Sequence, residues 1–107
     1  MNVVELIQCG ESEKAFKILY KSFPHVKKYI KKNSGTKADA EDIFQHALFI
    51  FHEKITSANF ELSTTPEGYV FSVARNLWRE RLRALKKEYS AIPEEPELDL
   101  EALLLKE

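Results

Sequence analysis

Arg75, Arg79 and Arg83 recur at four-residue intervals. On a helix that spacing stacks them along one side. Asn76 and Lys86 fall on the same side, and from Gly68 to Lys87 six Lys/Arg stand against one acid, Glu80. Such a row presents guanidinium groups to something anionic, and nucleic-acid phosphate is the obvious candidate. A solvated helix face with weak i,i+4 pairs accounts for the same pattern equally well. The chain as a whole carries a formal net charge of −1, so the positive charge is local. Catalytic patterns are missing: no Gly-rich phosphate loop, no Ser/His/Asp order and no Cys/His metal spacing occurs. His46 and His52 are six apart, on different sides of a helix. Asp42 and His46 share a side, but two such residues make a surface pair, not a metal site. The sequence thus reads as no enzyme, with no need of a cofactor or a metal. Cys9 is the single cysteine, which excludes an intramolecular disulfide. It reads as a buried, reduced thiol in a reducing, cytoplasmic setting.

The elements that must position these residues are helical. At 107 residues, with 44% hydrophobic and 31% charged residues, the chain suits one domain with one core. Three glycines and four prolines are too few for an all-β fold. No apolar run approaches a membrane span, and the N-terminus has no signal-peptide pattern.

Asn2 and Glu5 form a capping box for a short helix from Val3 to Cys9, stopped at Gly10. Ser12 is placed to cap a longer helix with the apolar stripe Phe16, Leu19, Phe23, Val26 and Ile30. Pro24 falls inside it and predicts a kink. Lys14, Lys17, Lys21, Lys27, Lys28, Lys31 and Lys32 decorate the other side, where those towards the C-terminal end suit the helix dipole and read first as a solvated face, and Asn33-Ser34-Gly35 ends the helix. Thr36 and Asp39 form a second capping box. The helix after it has an unbroken stripe of Ala40, Ile43, Phe44, Ala47, Leu48, Phe51 and Ile55. Phe49 and Ile50 lie off that stripe, which marks either a second buried contact or a partner site; with no partner in view, internal burial is the commoner outcome.

Thr56 to Thr64 has no helical period and reads as a nine-residue loop pinned to the core by Phe60 and Leu62. Thr65 then caps the Arg-bearing helix, with Pro66 at its first position and Glu67 at the positive end of its dipole. The buried side of that helix is Val70, Phe71, Ala74, Leu77, Trp78, Leu82 and Leu85. From Pro93 to Glu107 six acids stand against one Lys, and Pro93 and Pro96 forbid a continuous helix. This part reads as an acidic tail or linker, with room for a short terminal helix through Leu98, Leu100 and Leu103–Leu105.

Two stretches carry a family resemblance: Asp39-Ala40-Glu41-Asp42-Ile43-Phe44-Gln45, and Ser72-Val73-Ala74-Arg75-Asn76-Leu77. Together, in this order and spacing, they resemble the second conserved region of bacterial RNA polymerase sigma factors, in the extracytoplasmic-function group. The resemblance covers roughly Glu13 to Lys87. It implies that the Thr36–Ile55 helix docks on the coiled-coil of the largest subunit of core RNA polymerase. Asp39, Asp42, Gln45, His46 and Phe49 would lie at that contact. It also implies that the loop with Asn59, Phe60 and Leu62, and the start of the next helix at Tyr69, take up unpaired bases of the promoter −10 element. Arg75, Asn76, Arg79, Arg83 and Lys86 would then meet DNA, with Phe60 or Tyr69 stacking on an unpaired base. An anti-sigma factor is a further partner that the resemblance admits.

The sequence departs from the family pattern at three positions. His46 stands where Glu is usual, which bears on affinity at the polymerase contact. His52 and Tyr69 stand where Trp is common, which bears on packing. These factors also carry a helix-turn-helix domain that reads the −35 element. The residues after Glu88 do not supply it, and resemble the segment that threads the polymerase cleft towards it. The expectation is therefore an all-α bundle of three main helices with a short N-terminal helix over residues 1–90, and an acidic linker or tail over 91–107. Its expected function is polymerase binding with recognition and melting of the −10 element. The alternative is a helical interaction module that binds polymerase or a regulator without touching DNA.

Overall fold

The computed structural model describes residues 2–57 and 60–89, with side chains through Lys86. Among these residues five α-helices follow one another: α1 (Val3–Gln8), α2 (Ser12–Leu19), α3 (Phe23–Lys32), α4 (Lys37–Thr56) and α5 (Pro66–Tyr89). The expected all-α bundle with a short first helix is what forms. Asn59 and the acidic segment 91–107, with the short terminal helix expected there, lie outside the described residues.

Both capping boxes close. Glu5 N–H donates to Asn2 Oδ1 at 2.8 Å, and Asn2 N–H donates to Glu5 Oε1 at 3.1 Å. Asp39 N–H donates to Thr36 Oγ1 at 3.1 Å, and Thr36 N–H returns to Asp39 Oδ2 at 2.9 Å. Each box satisfies two backbone donors that the first turn leaves over. Thr65 serves α5 in a simpler way: Gly68 N–H donates to its Oγ1 at 3.0 Å.

The second predicted helix is divided rather than kinked. A 3-10 turn at Tyr20–Ser22 separates α2 from α3, and Pro24 sits in the first turn of α3. There its missing N–H costs no intrahelical bond, whereas deeper in a helix it would. Ser22, buried at the break, donates its hydroxyl to Leu19 O at 2.7 Å. Ser12 is not the cap of α2 either. Glu11 holds that position without a side-chain bond. The Ser12 hydroxyl instead meets His52 Nε2 at 3.1 Å, and His52 also packs edge-on against Phe16 with centroids 6.0 Å apart. Both contacts tie α2 to α4.

Cys9, expected to be buried, is exposed. It follows the last turn of α1, whose inward side is already filled by Val3, Leu6 and Ile7.

The α3–α4 corner rests on three residues. Ser34 takes a positive φ of 76°. Gly35 N–H reaches back to Ile30 O at 2.8 Å. A Cβ on Gly35 would run into Ile30 Cγ2 and Trp78 Cζ2, so close approach, not a left-handed backbone, requires glycine there. Asn33 is buried; its Nδ2 donates to Tyr29 O at 2.8 Å, and its carbonyl accepts from Trp78 Nε1 at 3.0 Å.

All seven residues of the predicted α4 stripe are buried. Phe44 is at the centre, with Tyr20 at 4.9 Å and Phe23 at 5.3 Å between ring centroids. From α5, Val70, Phe71, Ala74 and Trp78 complete the core. α4 and α5 run antiparallel: Phe51 meets Tyr69 near one end, and Asp42 meets Arg81 near the other. α4 starts at Lys37, so among the described residues α5 beyond Arg81 has little to pack on. Leu82 is half-buried, and Leu85, expected on the buried side, is exposed.

Candidate nucleic-acid and polymerase interface

Two surfaces emerge from this packing, one on α5 and one on α4. Burial of Val70, Phe71, Ala74 and Trp78 fixes the roll of α5 and turns the arginine row outward. Asn76, Arg79, Arg83 and Lys86 are exposed. Arg75 is half-buried, with its Nε withdrawn from solvent. The row is therefore not uniform: its solvent-facing charge begins at Arg79. The rise from Arg79 to Arg83 is about 6 Å along the axis.

At the start of α5 the loop and the helix meet through aromatic rings. Phe60 packs edge-on against Tyr69, and Tyr69 in turn packs on Phe51 of the core, both pairs with centroids 5.7 Å apart. Phe60 and Leu62 are half-buried against the core, as the loop reading requires. Burial pushes the Tyr69 hydroxyl above the ordinary tyrosine range. The step from Tyr69 to Arg75 is about 9 Å along the helix axis. An aromatic corner and a cationic side thus share one element.

On α4, the residues expected to face a partner divide into two groups. Gln45 and His46 are exposed, and Phe49 is 71% exposed. The off-stripe Phe49 is therefore no second core contact. Ile50, its neighbour, is half-buried. Asp39 and Asp42 are engaged within the chain. Asp39 closes the α4 capping box. Asp42 Oδ2 accepts from Arg81 Nη2 at 2.9 Å, and Arg81 Nη1 lies 3.8 Å from Asp39 Oδ1.

Arg81 is the residue that sequence reasoning missed. It lies off the four-spaced row, on the flank of α5 that faces α4. Its guanidinium carbon is 5.9 Å from the centroid of the Trp78 ring, in cation–π range. Two acids in the first turns of α4 and one cation three residues past a buried Trp are visible in the sequence. Only the antiparallel register of α4 and α5 makes them partners.

Among the described residues no helix is long and apolar enough to cross a membrane. Nor do they bring three or more His, Cys, Asp or Glu together as a metal site would need.

A family model described as Sigma-70 region 2 matches residues 19–88. The match takes in the last residue of α2 and nearly all of α3, α4 and α5, about two-thirds of the chain. No curated protein and no solved structure matches the chain. The family's domains act in transcription initiation rather than as catalysts, with core RNA polymerase and promoter DNA as their general partners. On a match of that length, across every helix that carries the two surfaces, the chain belongs to the Sigma-70 region 2 family.

Proposed function

We propose that this chain is the −10-reading domain of a sigma factor of the extracytoplasmic-function group, that it acts in the cytoplasm, and that residues 1–90 are its functional unit. In this reading α4 docks on the coiled-coil of the largest polymerase subunit through Gln45, His46 and Phe49, with Asp39 and Asp42 at its margin. The loop with Asn59, Phe60 and Leu62, together with Tyr69, captures unpaired bases. Arg79, Arg83 and Lys86 neutralise phosphates, while Asn76 and the partly withdrawn Arg75 border them.

The observation that supports this best is the division of labour along α5. The Phe60–Tyr69 ring pair stands at its first turn, and exposed cations follow on the outward side. Strand opening needs both: a stacking surface for bases that leave the duplex, and fixed positive charge for the strand they leave from.

Exposure of Phe49 also favours a second reading, an interaction module that engages polymerase or a regulator, such as an anti-sigma factor, without DNA. One experiment separates the two. Holoenzyme is reconstituted with Phe60→Ala or Tyr69→Ala, and permanganate reactivity of unpaired thymines is read at a −10 element. The −10 reading expects core binding to persist while reactivity falls. Unchanged reactivity would leave the interaction module as the better account.

A further inference from the structure

The charge on this chain is sorted by element. From Glu11 to Lys37 eight lysines stand against two acids, Glu11 and Glu13, although the whole chain is at −1. α4 has the opposite balance after its first residue, with Asp39, Glu41, Asp42 and Glu53 against Lys54. A solvated helix face usually interleaves its signs, so that each lysine has an acid one turn away. On α2 and α3 such a pair forms at Lys14, whose Nζ is 3.1 Å from Glu11 Oε1. Among the described residues no acid pairs with Lys17, Lys21, Lys28, Lys31 or Lys32, all of which are exposed.

The position of these lysines is fixed from beneath. Ala15, Leu19, Val26 and Ile30 bury the inner sides of α2 and α3. The C-terminal half of α3 lies beside α5. Tyr29 packs edge-on against Phe71 at 5.7 Å, and Asn33 O accepts from Trp78 Nε1. The Lys28–Lys32 end therefore borders the helix that exposes Arg79 and Arg83, not the acidic start of α4 alone. Unpaired like charges on a rigid face repel one another, and a polyanion seated there relieves that repulsion.

We propose that the lysine face of α2 and α3 is a second site for nucleic-acid phosphates, independent of sequence and separate from the arginine side of α5. Ammonium groups act as point charges on phosphate, so this face adds affinity and no base readout. Its charge and packing stand whether or not α5 reads a −10 element.

The test uses the full chain and a fluorescent duplex of random sequence, titrated from about 20 to 200 mM salt, a range that strongly weakens phosphate binding. The variant is Lys21→Gln/Lys28→Gln/Lys31→Gln/Lys32→Gln, all at exposed positions, with its melting checked against the unaltered chain. The expected result is weaker binding and a salt slope shallower by about 0.9 for each phosphate no longer neutralised. Base preference of the reconstituted holoenzyme at a −10 element stays unchanged, so failure here and failure of −10 recognition are separate outcomes. An unchanged slope, or no binding by the unaltered chain even at the lowest salt, overturns the proposal. So does weakened capture of core polymerase with the DNA slope intact, because the face would then serve a protein.

Discussion

Arg81 donates from Nη2 to Asp42 Oδ2 at 2.9 Å, across 39 positions of sequence. The bond joins α5 to the start of α4 beside the buried Trp78 ring. Arg81 is 38% and Asp42 68% exposed at the side chain, so solvent screens the pair. Its worth is therefore modest, about 0.2–1 kcal/mol. A double-mutant cycle of Arg81→Gln and Asp42→Asn, read by urea denaturation, should return a coupling in that range that shrinks with salt. A coupling of several kcal/mol would mean that the pair fixes the α4–α5 register, in place of Phe51, Tyr69 and Trp78.

Gly35 gives a sharper stability test. A Cβ there meets Ile30 Cγ2 and Trp78 Cζ2. Gly35→Ala should cost about 1–3 kcal/mol by overpacking, and should shift the emission of Trp78 as its indole is displaced. Gly10→Ala meets no neighbour but holds φ at +92°. It should destabilise through backbone strain alone and leave Trp78 emission in place. Equal emission in both variants would contradict the close approach at the α3–α4 corner.

How much of this is legible in the sequence depends on how local the cause is. The capping boxes at Asn2 and Thr36, and the seven-residue stripe of α4, are legible because each is set within a few residues or by a simple period. Pro24 marks a disruption, as expected. Pro24 has no N–H to give to Tyr20 O; that carbonyl accepts from Phe23 N–H instead, which closes the 3-10 turn and lets α3 start afresh. Leu85 is exposed against expectation because period alone does not say where the neighbouring helix ends. Arg81 escapes a sequence reading because its partners lie 39 and 42 positions away. At the candidate site, the type and side of Arg79, Arg83 and Gln45 are legible, and Phe49 is legible only as a residue off the stripe. The partial withdrawal of Arg75 and the engagement of Asp42 are not, because they depend on how the helices pack together.

The α4 surface yields a prediction about partners. Phe49 is 71% exposed, while the seven residues of the stripe beside it are buried. Gln45→Ala/Phe49→Ala should leave the melting temperature nearly unchanged, since surface substitutions generally fall within about 0.5 kcal/mol. Capture of core RNA polymerase should weaken severalfold. Unimpaired capture would remove α4 from the polymerase interface. Leu48→Ala is the contrasting control: Leu48 is buried, and its truncation should cost about 2–5 kcal/mol.

The central claim is that exposed cations on α5 meet promoter phosphates while the aromatic corner meets bases. The most direct test is the salt dependence of promoter binding by holoenzyme reconstituted with Arg79→Ala/Arg83→Ala. Each phosphate no longer neutralised should make the slope of log K against log salt shallower by about 0.7–0.9. The double variant is therefore expected to show a slope shallower by up to about 1.8, with binding weakened alike across promoters of different −10 sequence. An unchanged slope with full transcription would contradict the claim, and would leave the arginine row as a solvated helix face.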